Sequence, residues 1–333
     1  IQSTKVTLGI YDALTAARLG TFQSDTVNGR DGERIYTVAS IEAGAGVTTT
    51  TSNYHYVIKP EMPFTGHIAH LMENVGAGVV TDMSTVCPLT AAASVAATTN
   101  VRQGAIFSSA QPGSQSSLRI LNTGSNFGMV NIALTDPNTG EQLAFWSSPN
   151  IAAGSGLQVP ITTIETAATS EFTRPDFYTV QVSGSLTGEF QHVLWHASDG
   201  TLTNLTTCYS ASHNNQTRLG AVHSSGIGAA GYPSTIIVGN TGISATSVTL
   251  DIADANNGTK LGTFTTASIP ARGQAILSVT TLESGASPMI DPAGKGHYVV
   301  AASSAFSGYL QHVVDNNRVG VVTDMTTSCG LQP

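Results

Sequence analysis

The chain is poor in charge. Of its 333 residues, 13 are Lys or Arg and 21 are Asp or Glu, 10% in all, against roughly a quarter in an average globular protein. Thirteen basic residues spread over the whole length make no phosphate-binding stripe, and a net charge of −8 repels nucleic acid. Aromatic residues are also few: 6% of the chain, with Trp146 and Trp195 the two tryptophans. That counts against a sugar site built on exposed aromatic platforms. No run reaches the roughly 18 consecutive apolar residues of a membrane-spanning helix. There is no His-Glu-x-x-His, no Cys-x-x-Cys, no phosphate loop and no nucleophile elbow. No catalytic, cofactor-binding or metal residue is therefore assigned, and the expectation is that the chain is not an enzyme. Calcium is the metal least excluded, through Asp31-Gly32-Glu33 and the Asp-rich turns, although such residues ordinarily serve as solvated turn formers.

Thr, Ser, Ala, Gly and Asn fill the place of charge, and 41% of residues are hydrophobic. This is enough for real cores and excludes a disordered linker. The composition is that of secreted and cell-surface β-proteins. The sequence opens at Ile1, so processing, or a start that lies outside it, is expected.

A repeat organises the chain. Three segments end alike: Gly66-His67-Ile68-Ala69-His70, Gly188-Glu189-Phe190-Gln191-His192 and Gly308-Tyr309-Leu310-Gln311-His312. Each is followed by a Thr-rich strand and a cysteine, Cys87, Cys208 or Cys329, spaced 208 − 87 = 121 and 329 − 208 = 121. A tyrosine stands ten residues before each glycine: Tyr56, Tyr178 and Tyr298. Upstream lie Glu42, Glu165 and Glu283, each after Ile or Leu. A period near 120 residues is too long for a solenoid and fits tandem domains.

Within a module the pattern is β. Val130, Ile132 and Leu134 alternate with polar or small residues, as do Val248, Leu250 and Ile252, and Val6, Leu8 and Ile10. Period two with one apolar face predicts half-buried strands. Asp136-Pro137-Asn138-Thr139-Gly140 and Asp254-Ala255-Asn256-Asn257-Gly258 read as hairpin turns. Module 2 reads as strands near 103–109, 117–122, 129–135, 142–147, 156–163, 177–183, 189–196 and 201–207, with a single helical turn opening at the Ile-Glu step. Strands turning every 8–12 residues without long helices predict an all-β chain of three tandem β-sandwich modules. The modules are 1–88, 89–208 and 209–333. This strand count and turn chemistry resembles the immunoglobulin-like and fibronectin-III-like repeats of bacterial surface proteins. The resemblance implies architecture and no activity.

His70, His192 and His312 have apolar neighbours two residues away on either side, which predicts that their imidazoles join the apolar face. The expected role is a core histidine bonded to a carbonyl, a Thr hydroxyl or the recurring glutamate, in preference to a base or ligand. Glu42, Glu165 and Glu283 are expected to cap a turn or meet the histidine. Tyr56, Tyr178 and Tyr298 should be buried with the histidines. One cysteine per module cannot bridge within its module, and equivalent sites of tandem sandwiches lie beyond the ~7 Å Cα limit of a disulfide. The reading is that Cys87, Cys208 and Cys329 are buried and free, the alternative being pairing with another chain or a segment outside the sequence. Asn204, Asn215 and Asn257 match the N-glycosylation pattern.

Module 1 lacks the two strands that open modules 2 and 3 ahead of their Asp turns. The first expectation is that a segment upstream of Ile1 covers the gap. The second is a strand donated by a neighbouring subunit beside residues 5–11, and the third is that module 1 closes its own edge. Low charge, three like modules and the absence of a site predict an extracellular structural protein. It would be a subunit of a surface layer, filament or sheath that assembles with other copies of itself. The alternative is an adhesin or carbohydrate-binding surface protein.

Overall fold

In the computed structural model, residues 3–29, 32–48, 55–89, 101–209 and 217–326 are described, and the chain is 46% strand and 8% helix. Module 1 contributes β1 (Thr7–Asp12), β2 (Arg18–Gln23), α1 (Val38–Ala45), β3 (Tyr56–Pro60), β4 (Leu71–Asn74), β5 (Val79–Asp82) and β6 (Cys87–Leu89). Module 2 follows with β7 (Val101–Phe107), β8 (Ser114–Asn122), β9 (Val130–Thr135), β10 (Gln142–Ser147), β11 (Gly156–Pro160), α2 (Ile161–Glu165), β12 (Phe177–Gly184), β13 (Gly188–His196), β14 (Leu202–Asn204) and β15 (Cys208–Tyr209). Module 3 holds β16 (Arg218–His223), α3 (Ser225–Gly228), β17 (Ser234–Asn240), β18 (Thr249–Asp254), β19 (Lys260–Thr265), β20 (Gln274–Ser278), α4 (Val279–Gly285), β21 (His297–Ala302), β22 (Gly308–Asn316) and β23 (Val321–Asp324).

All pairings are antiparallel. Module 2 is a sandwich of β10-β9-β12-β7-β15 on β11-β8-β13-β14, and module 3 repeats it with β19-β18-β21-β16 on β20-β17-β22-β23. Alternation sets the core. In β9, Val130, Ile132 and Leu134 point inward, and β8 meets them with Leu118 and Ile120. α2 closes one end with Ile161 and Ile164, and α4 does the same in module 3 with Val279 and Leu282. The Asp136 turn forms because its carboxylate accepts the backbone N–H groups of Asn138 and Thr139 at 2.7 and 3.2 Å. Gly140 supplies the positive φ of 76° that follows; Ala16 holds the same place in module 1 at φ 59°.

Module 1 differs. Its sheets are β2-β1-β3 and the pair β4-β5. Among the described residues no strand stands where β7 and β8 stand in module 2. β1 is nevertheless bonded on both sides by its own module, to β2 and β3. This overturns the expectation of a foreign strand beside residues 5–11: β1 corresponds to β9, an interior strand, and the open edges lie at β3 and β4. The buried core shrinks to Leu8, Ile10 and Phe22.

Module 1 shares a strand across the expected boundary: β6 pairs with β13 of module 2, placing Cys87 opposite Phe190. β15 pairs with β7 within module 2. Cys87 is buried, at 1% exposure, but disulfide-bonded, which corrects the reading of it as a free thiol. β6 and β15 both lie against β7, so the tails of successive modules are folded into one seam and not strung out. The side chain of Cys208, and Cys329, Asn215 and Asp31, lie outside the described residues. No described helix is long and apolar enough to cross a membrane.

Leu134 is fully buried and Ile243 is 86% exposed. Leu134→Ala should lower the unfolding free energy by about 2–5 kcal/mol in urea denaturation. Ile243→Ala should stay within about 0.5 kcal/mol of the parent chain.

Candidate functional site at the seams between modules

Two internal devices recur in modules 2 and 3. The first is a tyrosine on a buried glutamate. Tyr178 donates to Glu165 at 3.0 Å and Tyr298 to Glu283 at 2.8 Å. Ser109 and Ser225, near the start of the same modules, donate their N–H to those carboxylates at 3.0 and 2.9 Å. The buried glutamates therefore tie helix, strand and opening loop together. Burial raises the pKa of both tyrosines, and the adjacent carboxylates raise it further. Of the two expected partners, Glu165 and Glu283 do not meet the histidine; they hold the backbone N–H groups of Ser109 and Ser225 and the two tyrosines. In module 1 Tyr56 is half-buried, and its hydroxyl lies toward Glu42 without reaching normal hydrogen-bond geometry.

The second device is the histidine. His192 and His312 have no exposed surface. Each ring Nε2 touches a serine hydroxyl, Ser116 at 2.8 Å and Ser234 at 2.7 Å. These serines also accept a backbone N–H, from Phe107 and His223, so each hydroxyl is free to donate to Nε2. Each histidine N–H in turn donates to a hydroxyl of the tail, Thr206 or Thr326. Such sealed pairs cannot present a nucleophile to an outside substrate. Burial lowers the pKa of His192 to about 3, partly offset by the Leu205 backbone, and lowers that of His312 to about 4, helped by His223 and His297. His70 keeps the tail bond, accepted by Ser84 at 2.7 Å, but is exposed. The expected burial fails there because module 1 has no strand carrying the covering serine.

The residue beside the histidine points the other way and builds the seam. Gln191 donates to the carbonyls of Met83 and Thr85 of module 1 at 2.8 and 3.2 Å. One module later, Gln311 donates to the carbonyl of Leu205, the counterpart of Met83, at 3.1 Å. Gly156 N–H bonds to Ala13 at 2.6 Å, and its counterpart Gln274 N–H to Pro137 at 3.1 Å. Asn204 reaches back to Thr85 at 2.9 Å; its counterpart Asp324 accepts from Thr207, the counterpart of Thr85, and from Gln311 at 2.8 Å. The first seam adds Asn74 on Thr201 and Thr81 on the Leu202 carbonyl, both at 2.8 Å. The second adds an apolar cluster of Ala105, Ile237 and Val313. Gly104 is required there: a Cβ would stand 2.6 Å from the Tyr309 hydroxyl and 2.2 Å from Gln274 Oε1.

Three correspondences at equivalent positions make this one interface used twice. The sequence carried a signal for it: the repeated motif has Gln in modules 2 and 3, and Ala69 in module 1. The Asp12, Asp136 and Asp254 carboxylates accept N–H bonds from their own turns. Among the described residues no group of three or more His, Cys, Asp or Glu is arranged to hold a metal ion. A cleft of about 410 Å³ opens between modules 2 and 3, lined by Pro137, Asn138, Asp176, Phe177 and Ile276. A scan of family models and a search of the curated proteins found no match to this chain.

Two outcomes are expected. His192 and His312 are neutral when folded but protonate below about 6.5 when unfolded. The unfolded state then binds more protons, so stability falls as pH drops from 6.5 toward 4. At pH 4.5 each histidine should cost about 3 kcal/mol relative to neutral pH. In urea titrations across this range, His192→Leu should flatten the pH dependence by about one proton. Gln311→Ala should take one of two donors from the Leu205 carbonyl, which Gln103 also serves at 3.0 Å, and one from Asp324, and should speed hydrogen exchange at the second seam with a stability loss of about 1–2 kcal/mol.

Proposed function

We propose that the chain is an extracellular structural protein, a subunit of a surface layer, filament or sheath assembled with other copies of itself. The supporting observation is the seam used twice. Successive modules are held by buried side-chain clamps at equivalent positions and by a strand of module 1 inserted in the sheet of module 2. A flexible string of binding domains has no need of such clamps, whereas a load-bearing rod does. The low charge and the hydroxyl-rich surface support a secreted or cell-surface location, and the module plan supports kinship with bacterial immunoglobulin-like repeats. The second reading, an adhesin or carbohydrate-binding surface protein, is favoured by the cleft between modules 2 and 3, where Phe177 offers an aromatic surface beside Asn138 and Asp176.

Negative-stain electron microscopy of the purified protein decides between them. Ordered polymers or sheets with a repeat set by the three-module length are expected. Monodisperse particles that bind glycans, with binding lost in Phe177→Ala, would replace the first reading by the second.

A further inference from the structure

Module 1 exposes residues whose counterparts are core. Ile68 is 46% exposed, whereas Phe190 and Leu310, at the same place in the repeated motif, are at 0%. Val38 on α1 is 51% exposed, against 2% for Ile161 and 3% for Val279. No residue of α1 is buried, although α2 and α4 each bury their two apolar residues and the glutamate.

One strand accounts for all of these differences. In module 2, β8 is central, bonded to β11 on one side and β13 on the other; β17 stands likewise between β20 and β22. In module 1 the counterparts of the flanking strands are residues 33–37, which form no strand, and β4, which pairs with β5 alone among the described residues. An apolar face between two unpaired backbone edges is the arrangement that accepts an added strand.

We propose that module 1 is a strand acceptor, and that its ligand is a β-strand of another polypeptide with the chemistry of β8 and β17. The sister modules specify that chemistry. It is a serine, then large aliphatic residues two and four positions on, then asparagine at six: Ser116, Leu118, Ile120 and Asn122, or Ser234, Ile236, Val238 and Asn240. The serine hydroxyl seats on the Nε2 of His70, as Ser116 does on His192. The aliphatic pair covers Ile68 and Val38. The asparagine closes the far loop, as Asn122 does by donating to the carbonyls of Asn126 and Ile151. Within residues 1–333 this pattern occurs at those two places, and both strands are already central in their own sheets. Residues 1–333 of a second copy therefore have none to spare. The proposal stands on module 1 alone and does not depend on the structural-subunit reading.

The test uses the full chain and a synthetic peptide of residues 114–124. Binding is read by fluorescence anisotropy and its place by hydrogen exchange. The expected result is one peptide per chain, with exchange slowed at residues 33–37 and Leu71–Asn74. Changing the peptide residues matching Leu118 and Ile120 to Asp should weaken binding at least tenfold, and His70→Ala in the chain should weaken it several-fold. Equal binding of a scrambled peptide, absence of binding, or slowed exchange confined to modules 2 and 3 would overturn the proposal. So would protection of the same segments in the free chain that grows with protein concentration, because that assigns the face to a second copy.

Discussion

A strand in the middle of a sandwich must be hydrogen-bonded along both edges and covered on its inner face. β8 and β17 meet this demand in modules 2 and 3, and most other features depend on it. They join β11 to β13 and β20 to β22, so each sheet is continuous. They carry the serine that lets an imidazole sit in the core without charge. An unpartnered imidazole there would lose the solvation of its polar atoms with little in return. Where the strand is absent, in module 1, the sheet divides, the helix rides high and the histidine faces water.

Most of the architecture was legible in the sequence because period-two alternation and Asp-to-Gly turns are local signals. Val130, Ile132 and Leu134 announce their strand without help from any other part of the chain. The short helices at Glu165 and Glu283 lie where the Ile-Glu and Leu-Glu steps suggested. Pairing between elements was less legible. The tyrosine that takes the glutamate is 13 residues away in one module and 15 in the other, and nothing local separates it from the histidine as a partner. The disulfide at Cys87 is not legible from cysteine spacing, because β6 crosses into the next sheet and the modules are not separate beads.

The seam was hidden for a different reason. A motif repeated three times draws attention to its invariant histidine, which proves to be internal. The informative position is the one that varies: Gln191 and Gln311 against Ala69. The side chains that read modules 1 and 2 belong to the modules that follow them. Opposite faces of one strand thus divide the labour. The histidine face fixes the module, and the glutamine face fixes its neighbour.

The two seams share their hydrogen bonds and differ in apolar content, and the difference follows from the strand that module 1 lacks. In the second seam β7 lays Ala105 over Ile237 and Val313, and Gly104 beneath the Tyr309 hydroxyl. In module 2 the counterparts of Ile237 and Tyr309 are Arg119 and Glu189. Module 1 brings no strand equivalent to β7 over them. Aliphatic and aromatic residues there would stand open to water, and charged ones do not incur that cost. Partial burial lowers the pKa of Arg119 and raises that of Glu189, so both charges already feel the edge of the seam. Arg119 is steadied by Gln158 at 2.9 Å and more loosely by Gln191 at 3.4 Å. The first seam is thus built for a module whose β7 place is empty or filled by something polar. A strand entering module 1 at the β8 place finds an apolar bed, and any strand lying beyond it at the β7 place must answer Arg119 and Glu189 with charge or hydrogen bonds of its own.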